Sequence, residues 1–296
     1  SIADHGSFSA AAAALHTVQS NVSSHVARLE RELGAQLVDR HAGELTEEGH
    51  AVVERARRIS AEMDAIAADV AALRHEITGT ARVGIIGTTA RWLAPLLIDR
   101  AAATHPGLRL LIGDGTSATL EPLLATGLLD AAVVNLPQTN PDLSARSLFD
   151  EELVLVVPSG HALAERTELE LTDLDGLELL LPAPGSAFRE ELDEAVRSAS
   201  IGLVPKAELD GMRLMVSLTL RGYGPAILPA TGASESSEGV VRIPVHGLPR
   251  RRVGVVLRAR GRPSAPARAM LELLDQVVED NLCEGSGLHP PAARAS

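Results

Sequence analysis

Between Val52 and Ile77 the apolar residues fall at Val52, Ala56, Ile59, Met63, Ile66, Val70, Leu73 and Ile77, with spacings of 4, 3, 4, 3, 4, 3 and 4. This repeat predicts one long helix with an apolar seam, the pattern of a coiled coil. The stripe is narrow, and most of the other positions are Ala, Arg and Glu. Residues 46–78 therefore read as a linker and dimerisation helix, with Val52, Ala56, Ile59, Met63, Ile66, Val70 and Leu73 at the seam. Glu47 and Glu48 suit the first turn of such a helix, where acidic groups meet the positive end of the dipole.

The segments on either side have different rhythms. Residues 1–45 read as short helices with tight turns. Ser7 or Ser9 can cap a helix through Ala10–Ala14 to Leu15. His16-Thr17-Val18 reads as a turn, with Thr17 the next cap. From Gln19 a stripe at Val22, Val26, Leu29 and Leu33 marks a second helix, which Gly34 ends. Its other face carries Ser20, Ser23, Ser24, Ala27 and Arg28, with Gln19 at its start.

After Gly79 strands and helices alternate, which predicts α/β units with parallel strands. Ala81–Ile86, Leu108–Ile112 and Asp130–Val134 read as strands of a first unit. Leu153–Val157, Glu178–Leu181 and Ala226–Leu228 read as strands of a second, with helices from Ser186 and near Met212. Asn135–Leu143, with two prolines, and polar Gly232–Gly239 read as crossovers. The expected lobes are therefore 79–137 plus 240–282, and 143–234, followed by a disordered tail at 283–296. A cleft between two such lobes is a common small-molecule site.

Charge and composition narrow the function. A net charge of −12 argues against a general polyanion binder. Aromatics at 2% leave no stacking platform for single-stranded nucleic acid. Residues 1–78 hold 7 arginines against 12 acids, yet Ser7–Leu29 contains Arg28 and no acid. That segment is thus less acidic than the rest of residues 1–78. Cys283 is the sole cysteine, so no intramolecular disulfide or cysteine zinc site can form. The histidines show no HExxH spacing. Gly115-Thr116-Ser117-Ala118-Thr119 lacks the second glycine of a nucleophile elbow. Gly222-Tyr223-Gly224-Pro225 is no dinucleotide fingerprint. The reading is a non-enzyme without metal or cofactor. No apolar run reaches the length of a membrane span and no signal peptide opens the chain, so the expected location is cytoplasmic.

The order Gly6-Ser7-Phe8-Ser9-Ala10-Ala11-Ala12, Leu15-His16, Gln19, Val22-Ser23, Leu29-Glu30, Glu32-Leu33-Gly34, Leu37, Arg40 and Leu45-Thr46-Glu47-Glu48-Gly49 resembles the LysR-type transcriptional regulators. Arg82-Val83-Gly84, Gly127-Leu128-Leu129-Asp130, Pro158-Ser159-Gly160-His161-Ala162-Leu163 and Gly222-Tyr223-Gly224 extend the likeness along the chain. The resemblance implies a winged helix-turn-helix head at 1–45, its first helix cut to Ser1–His5. A linker helix and an effector domain resembling periplasmic binding proteins follow. It implies a homodimer or homotetramer on double-stranded promoter DNA, with RNA polymerase as a further contact and no membrane. The rival reading is a cytoplasmic solute-binding protein whose truncated head no longer binds DNA.

On that basis Gln19, Ser20, Ser23, Ser24 and Arg28 are expected at base edges and phosphates of the major groove. Ser7 and Ser9 are expected at a phosphate beside a helix N-terminus, and His41 in the wing. A small-molecule effector, for which an anion is suited, is expected at the strand-to-helix turns. Those turns carry Thr88 and Thr89, Thr116 and Ser117, and Ser186 and Phe188. Arg91, Arg146 and Arg189 are candidate countercharges.

Overall fold

The computed structural model describes residues 1–39, 43–74, 76–232, 239–283 and 285–292. The chain divides into two compact units, Ser1–Ile66 and Ala67–Ser296.

The first unit opens with the single turn α1 (Ile2–His5), closed by Gly6 in the left-handed conformation. Helix α2 (Phe8–Ala14) is capped by Ser7, whose hydroxyl accepts from the Ala10 amide. Helix α3 (Gln19–Leu33) starts from Val18, not from the expected Thr17. The Thr17 hydroxyl instead accepts from the Asn21 side chain, and no side chain caps the helix. The core here is small: Ala11, Ala12 and Val22 are buried, with Ile2 and Phe8 against them.

A wing follows, in which Val38 bridges Leu45 antiparallel. Two polar side chains hold its base. The Glu30 carboxylate accepts from the Leu37 and Val38 amides at 2.9 and 3.4 Å. The Thr46 hydroxyl donates to the Gln36 carbonyl and accepts from the Gly49 amide, capping α4 (Glu47–Ala72). A Cβ on Gly49 would lie 2.0 Å from the Leu37 carbonyl oxygen, so only glycine lets the wing sit on this helix. Arg57 of α4 donates to Asp4 and holds its carboxyl below the usual range.

Along α4, Ile59, Met63, Ile66 and Val70 are more than half exposed, and Leu73 just beyond its end is 83% exposed. Val52 is half-buried and Ala56 is exposed. Ile77 leaves the stripe and packs into the first lobe of the second unit.

That unit holds two sheets. In chain order, β1 (Gly79–Ile86), α5 (Gly87–Thr104), β2 (Leu108–Gly115), α6 (Ser117–Ala125), β3 (Ala131–Asn135) and β4 (Leu143–Glu151) build most of lobe one. Lobe two contains β5 (Leu153–Pro158), β6 (Leu169–Glu170), β7 (Glu178–Pro182), α7 (Ala187–Ser198), β8 (Val204–Leu209), α8 (Met212–Leu220), β9 (Ala226–Pro229) and β10 (Val240–His246). The chain returns to lobe one as β11 (Arg251–Arg258), α9 (Ala265–Asn281) and β12 (Leu288–His289). Among the described residues the strand orders are β12-β4-β11-β3-β1-β2 and β6-β10-β5-β9-β7-β8. Strands β1, β2 and β3 are parallel, and β11 runs against both β3 and β4.

Three expectations are corrected. Residues 143–151 belong to lobe one, because Leu143, Leu148 and Phe149 pack into its core as β4 pairs with β11. Residues 240–246 belong to lobe two, because Ile243 and Val245 enter that core and β10 pairs with β5. The crossings therefore lie near Glu152 and between His246 and Arg251. The described part of the tail is ordered: β12 pairs with β4, Leu288 is 5% exposed, and the Ala292 amide donates to Asp150. Strand β8 was not expected; it is the edge of its sheet and its sequence lacks an apolar run.

Leu288→Ala should lower the unfolding free energy by about 2–5 kcal/mol, as for other buried leucines. Chemical denaturation checks this; an unchanged midpoint would show that the tail contributes nothing.

Candidate functional site

The exposed face of α3 carries Gln19, Ser20, Ser24 and Arg28, while Ser23 is half-buried. Ser20, Ser24 and Arg28 are four residues apart and share one side of the helix. Arg28 donates to Glu32 one turn on, at 2.8 Å, so its charge is partly answered within the helix. Ser7 caps α2, and Ser9 is exposed in its first turn. His41 lies outside the described residues.

In the second unit the lobes meet where lobe one presents the C-terminal ends of its parallel strands. Thr88 and Thr89 stand in the first turn of α5, as expected, but both are sealed in, at 2% and 0% exposure. Their hydroxyls accept from Arg251, at 3.0 Å from Nη1 and 3.3 Å from Nη2. Arg251 also donates to Glu151 Oε2 from Nε, at 3.1 Å, and from Nη2. The other carboxylate oxygen, Oε1, accepts from the Thr231 amide and hydroxyl at 2.9 and 2.6 Å. Thr231 follows β9, so it comes from lobe two.

Two further ties join the lobes. Arg213 in the first turn of α8 pairs with Asp114 at the end of β2 and lies against Gly87. Arg91 of α5 donates to the Gly232 carbonyl at 3.2 Å. Surrounding protein atoms push the Glu191 carboxyl of α7 above the usual range, and the Arg251 charge offsets part of that rise.

The other expected hydroxyls are spent locally. Thr116 caps α6 in a reciprocal capping box with Thr119. The Ser117 hydroxyl accepts from the Asn135 amide at 3.2 Å, tying α6 to β3. Ser186 caps α7, accepting from the Arg189 amide and donating to the Ala183 carbonyl. Phe188 packs against both apolar clusters of lobe two. Arg189 is held by Pro182, Asp193 and Glu208, and Arg146 pairs with Asp275 of α9. Neither arginine serves the meeting point of the lobes as a free countercharge. The residues that sequence reasoning missed are Glu151, Arg251, Thr231 and Arg213. The signal available was an Asp150-Glu151-Glu152 run matched by Arg250-Arg251-Arg252.

Two family models match the chain. "Bacterial regulatory helix-turn-helix protein, lysR family" matches residues 1–50, and "LysR substrate binding domain" matches residues 74–279. The chain belongs to the LysR family. It is a LysR-type DNA-binding regulator with an effector-binding domain. The "Probable hydrogen peroxide-inducible genes activator" of Mycobacterium avium is 29% identical over 287 residues, covering 94% of this chain and 91% of that protein. Full-length CbnR, solved in complex with its target DNA, has the same fold, with TM-score 0.72 and 24% identity over 94% of this chain and 96% of that one. The effector-binding domain of QuiR, solved with shikimate, aligns at TM-score 0.60 and 20% identity over 69% of this chain and 98% of that one. The rival reading of this LysR-type chain as a solute-binding protein gains no support, because the head matches the DNA-binding model. Among the described residues, no helix is long and apolar enough to cross a membrane.

Thr88→Val keeps the shape of the first turn but leaves a buried Arg251 donor without its acceptor. Thermal denaturation of the ligand-free protein should show a loss of about 1–3 kcal/mol. A side chain that merely awaited effector would show none.

Proposed function

We propose that this regulator controls transcription as a homodimer or dimer of dimers, read through a small-molecule effector held between its two lobes. The observation that carries the proposal is the pairing of an exposed α3 face with a two-lobed domain whose halves join through a few polar contacts. An effector with different affinity for the open and closed lobes shifts their populations, and any ligand without that difference shifts nothing. The family partners, promoter DNA and RNA polymerase, put its work in the cytoplasm, and no enzymatic step is proposed.

In this reading Gln19, Ser20, Ser23 and Ser24 meet base edges, and Ser7, Ser9, Arg28 and His41 meet phosphates. The α4 seam of Ile59, Met63, Ile66, Val70 and Leu73 is covered by a second chain, with Val52 and Ala56 at its start. An apolar stripe this exposed is expected to find a partner in water. The effector is a small organic acid, as shikimate is for QuiR. The turns at Thr116-Ser117 and at Ser186-Phe188 supply its N–H groups, with Thr88 and Thr89 behind Arg251.

Hydrogen peroxide is a poor model for the signal here, whatever the relatives' names say. A single exposed cysteine, Cys283, has no second thiol in its own chain to close a disulfide.

Ile66→Glu places a charge in the seam, and the chain should sediment as a monomer in analytical ultracentrifugation. Promoter footprinting with and without a panel of small carboxylic acids tests the effector; an unchanged footprint and unchanged transcription across the panel would count against the reading. Gln19→Ala should weaken the specific complex by about 1–3 kcal/mol and leave non-specific binding intact. Cys283→Ser should respond to peroxide as the parent does in the same transcription assay.

A further inference from the structure

Glu151 closes β4 just before the first crossing between lobes, and Arg251 opens β11 just after the second. The two stand opposite each other in the β4–β11 register, so the ion pair bolts both crossings at one level. The pair is sealed, with side-chain exposures of 0% and 8%. Among the described residues, it is the tie between the lobes that is buried on the lobe-one side. Arg213 and Asp114 are 68% and 39% exposed, and water screens them.

The carboxylate divides its two oxygens between the lobes. Oε2 takes the Arg251 guanidinium, which Thr88 and Thr89 fix to the start of α5. Oε1 takes both donors of Thr231 from lobe two. Separating the lobes at this point strips one oxygen of a buried carboxylate of its two donors. Such a group is costly to leave unsatisfied, and opening water to it is the only alternative.

We propose that Glu151 is a latch between the lobes: its Oε1–Thr231 contact sets the equilibrium between joined and parted lobes. The guanidinium of Arg251 holds the carboxylate in place and passes any movement of it to α5. The hydroxyls of Thr88 and Thr89 are part of the latch. The latch is a property of the ligand-free chain, so it stands whether or not the effector reading above holds.

The chain carries its own reporter. Trp92 is its only tryptophan, one turn beyond Thr88 and Thr89 on α5. Its ring packs edge-on against Phe149, two residues before Glu151, with centroids 5.8 Å apart.

The test uses the full chain without ligand, by amide hydrogen exchange and Trp92 emission. Thr231→Val removes one latch donor and keeps the local shape. Exchange at residues 87–90 and 230–232 should rise about tenfold, and Trp92 emission should shift, with the core amides of Val83 and Leu228 unchanged. Glu151→Gln should act in the same direction and more strongly. If it fails to fold, Thr231→Val decides alone. Unchanged exchange at both segments overturns the proposal. So does an equal rise at the core amides, which would make the contact a general stabiliser and not a latch.

Discussion

A guanidinium and a carboxylate closed off from water hold the place where the chain passes twice between its lobes. Burying two charges costs a great deal of hydration, and the cost is met only when every donor and acceptor has a partner. Arg251 and Glu151 meet that demand by drawing in Thr88 and Thr89 from the start of α5 and Thr231 from the turn after β9. The strands β4 and β11, the start of α5 and the turn after β9 are therefore fixed relative to one another by one charge pair. Replacing it with apolar residues of similar volume would satisfy packing, but it would also remove the direction that hydrogen bonds impose.

The same economy explains the neighbouring residues. Asp150 takes Arg252 on one oxygen and the Ala292 amide on the other. Glu152 takes Arg250 and His289 on a single oxygen, and its amide donates to Gly287. Three consecutive acids thus meet three consecutive arginines, with the C-terminal segment closing the remaining valences. Only the central pair points inward, because side chains alternate along a strand.

The sequence shows those features that depend on periodicity or on one unusual residue. The linker helix follows from a seven-residue apolar repeat, and the head from Ser7, Gly34 and the Glu47-Glu48-Gly49 turn. The strand and helix order of the effector domain follows from apolar runs between glycines. Lobe membership is not visible in that way. β4 and β10 are each adjacent to a crossing, and which sheet they join depends on pairing between residues about a hundred positions apart. The α5 turn illustrates the limit for function. A Thr pair after a strand marks an anion-friendly helix start, but nothing local says that an arginine 162 and 163 residues away already occupies both hydroxyls. The Asp150–Glu152 and Arg250–Arg252 runs were the one available hint, and charge runs usually mean a solvated surface.

Gly49 sits where the Leu37 carbonyl would strike any larger residue. The wing and the opening turn of α4 therefore have no side chain between them to act as a cushion. With Thr46 fastened to both Gln36 and Gly49, they move as one stiff part. A twist applied along α4 reaches the wing as rotation, undiluted by rotamer changes. The pitch of the wing's base is then set by the long helix that carries it.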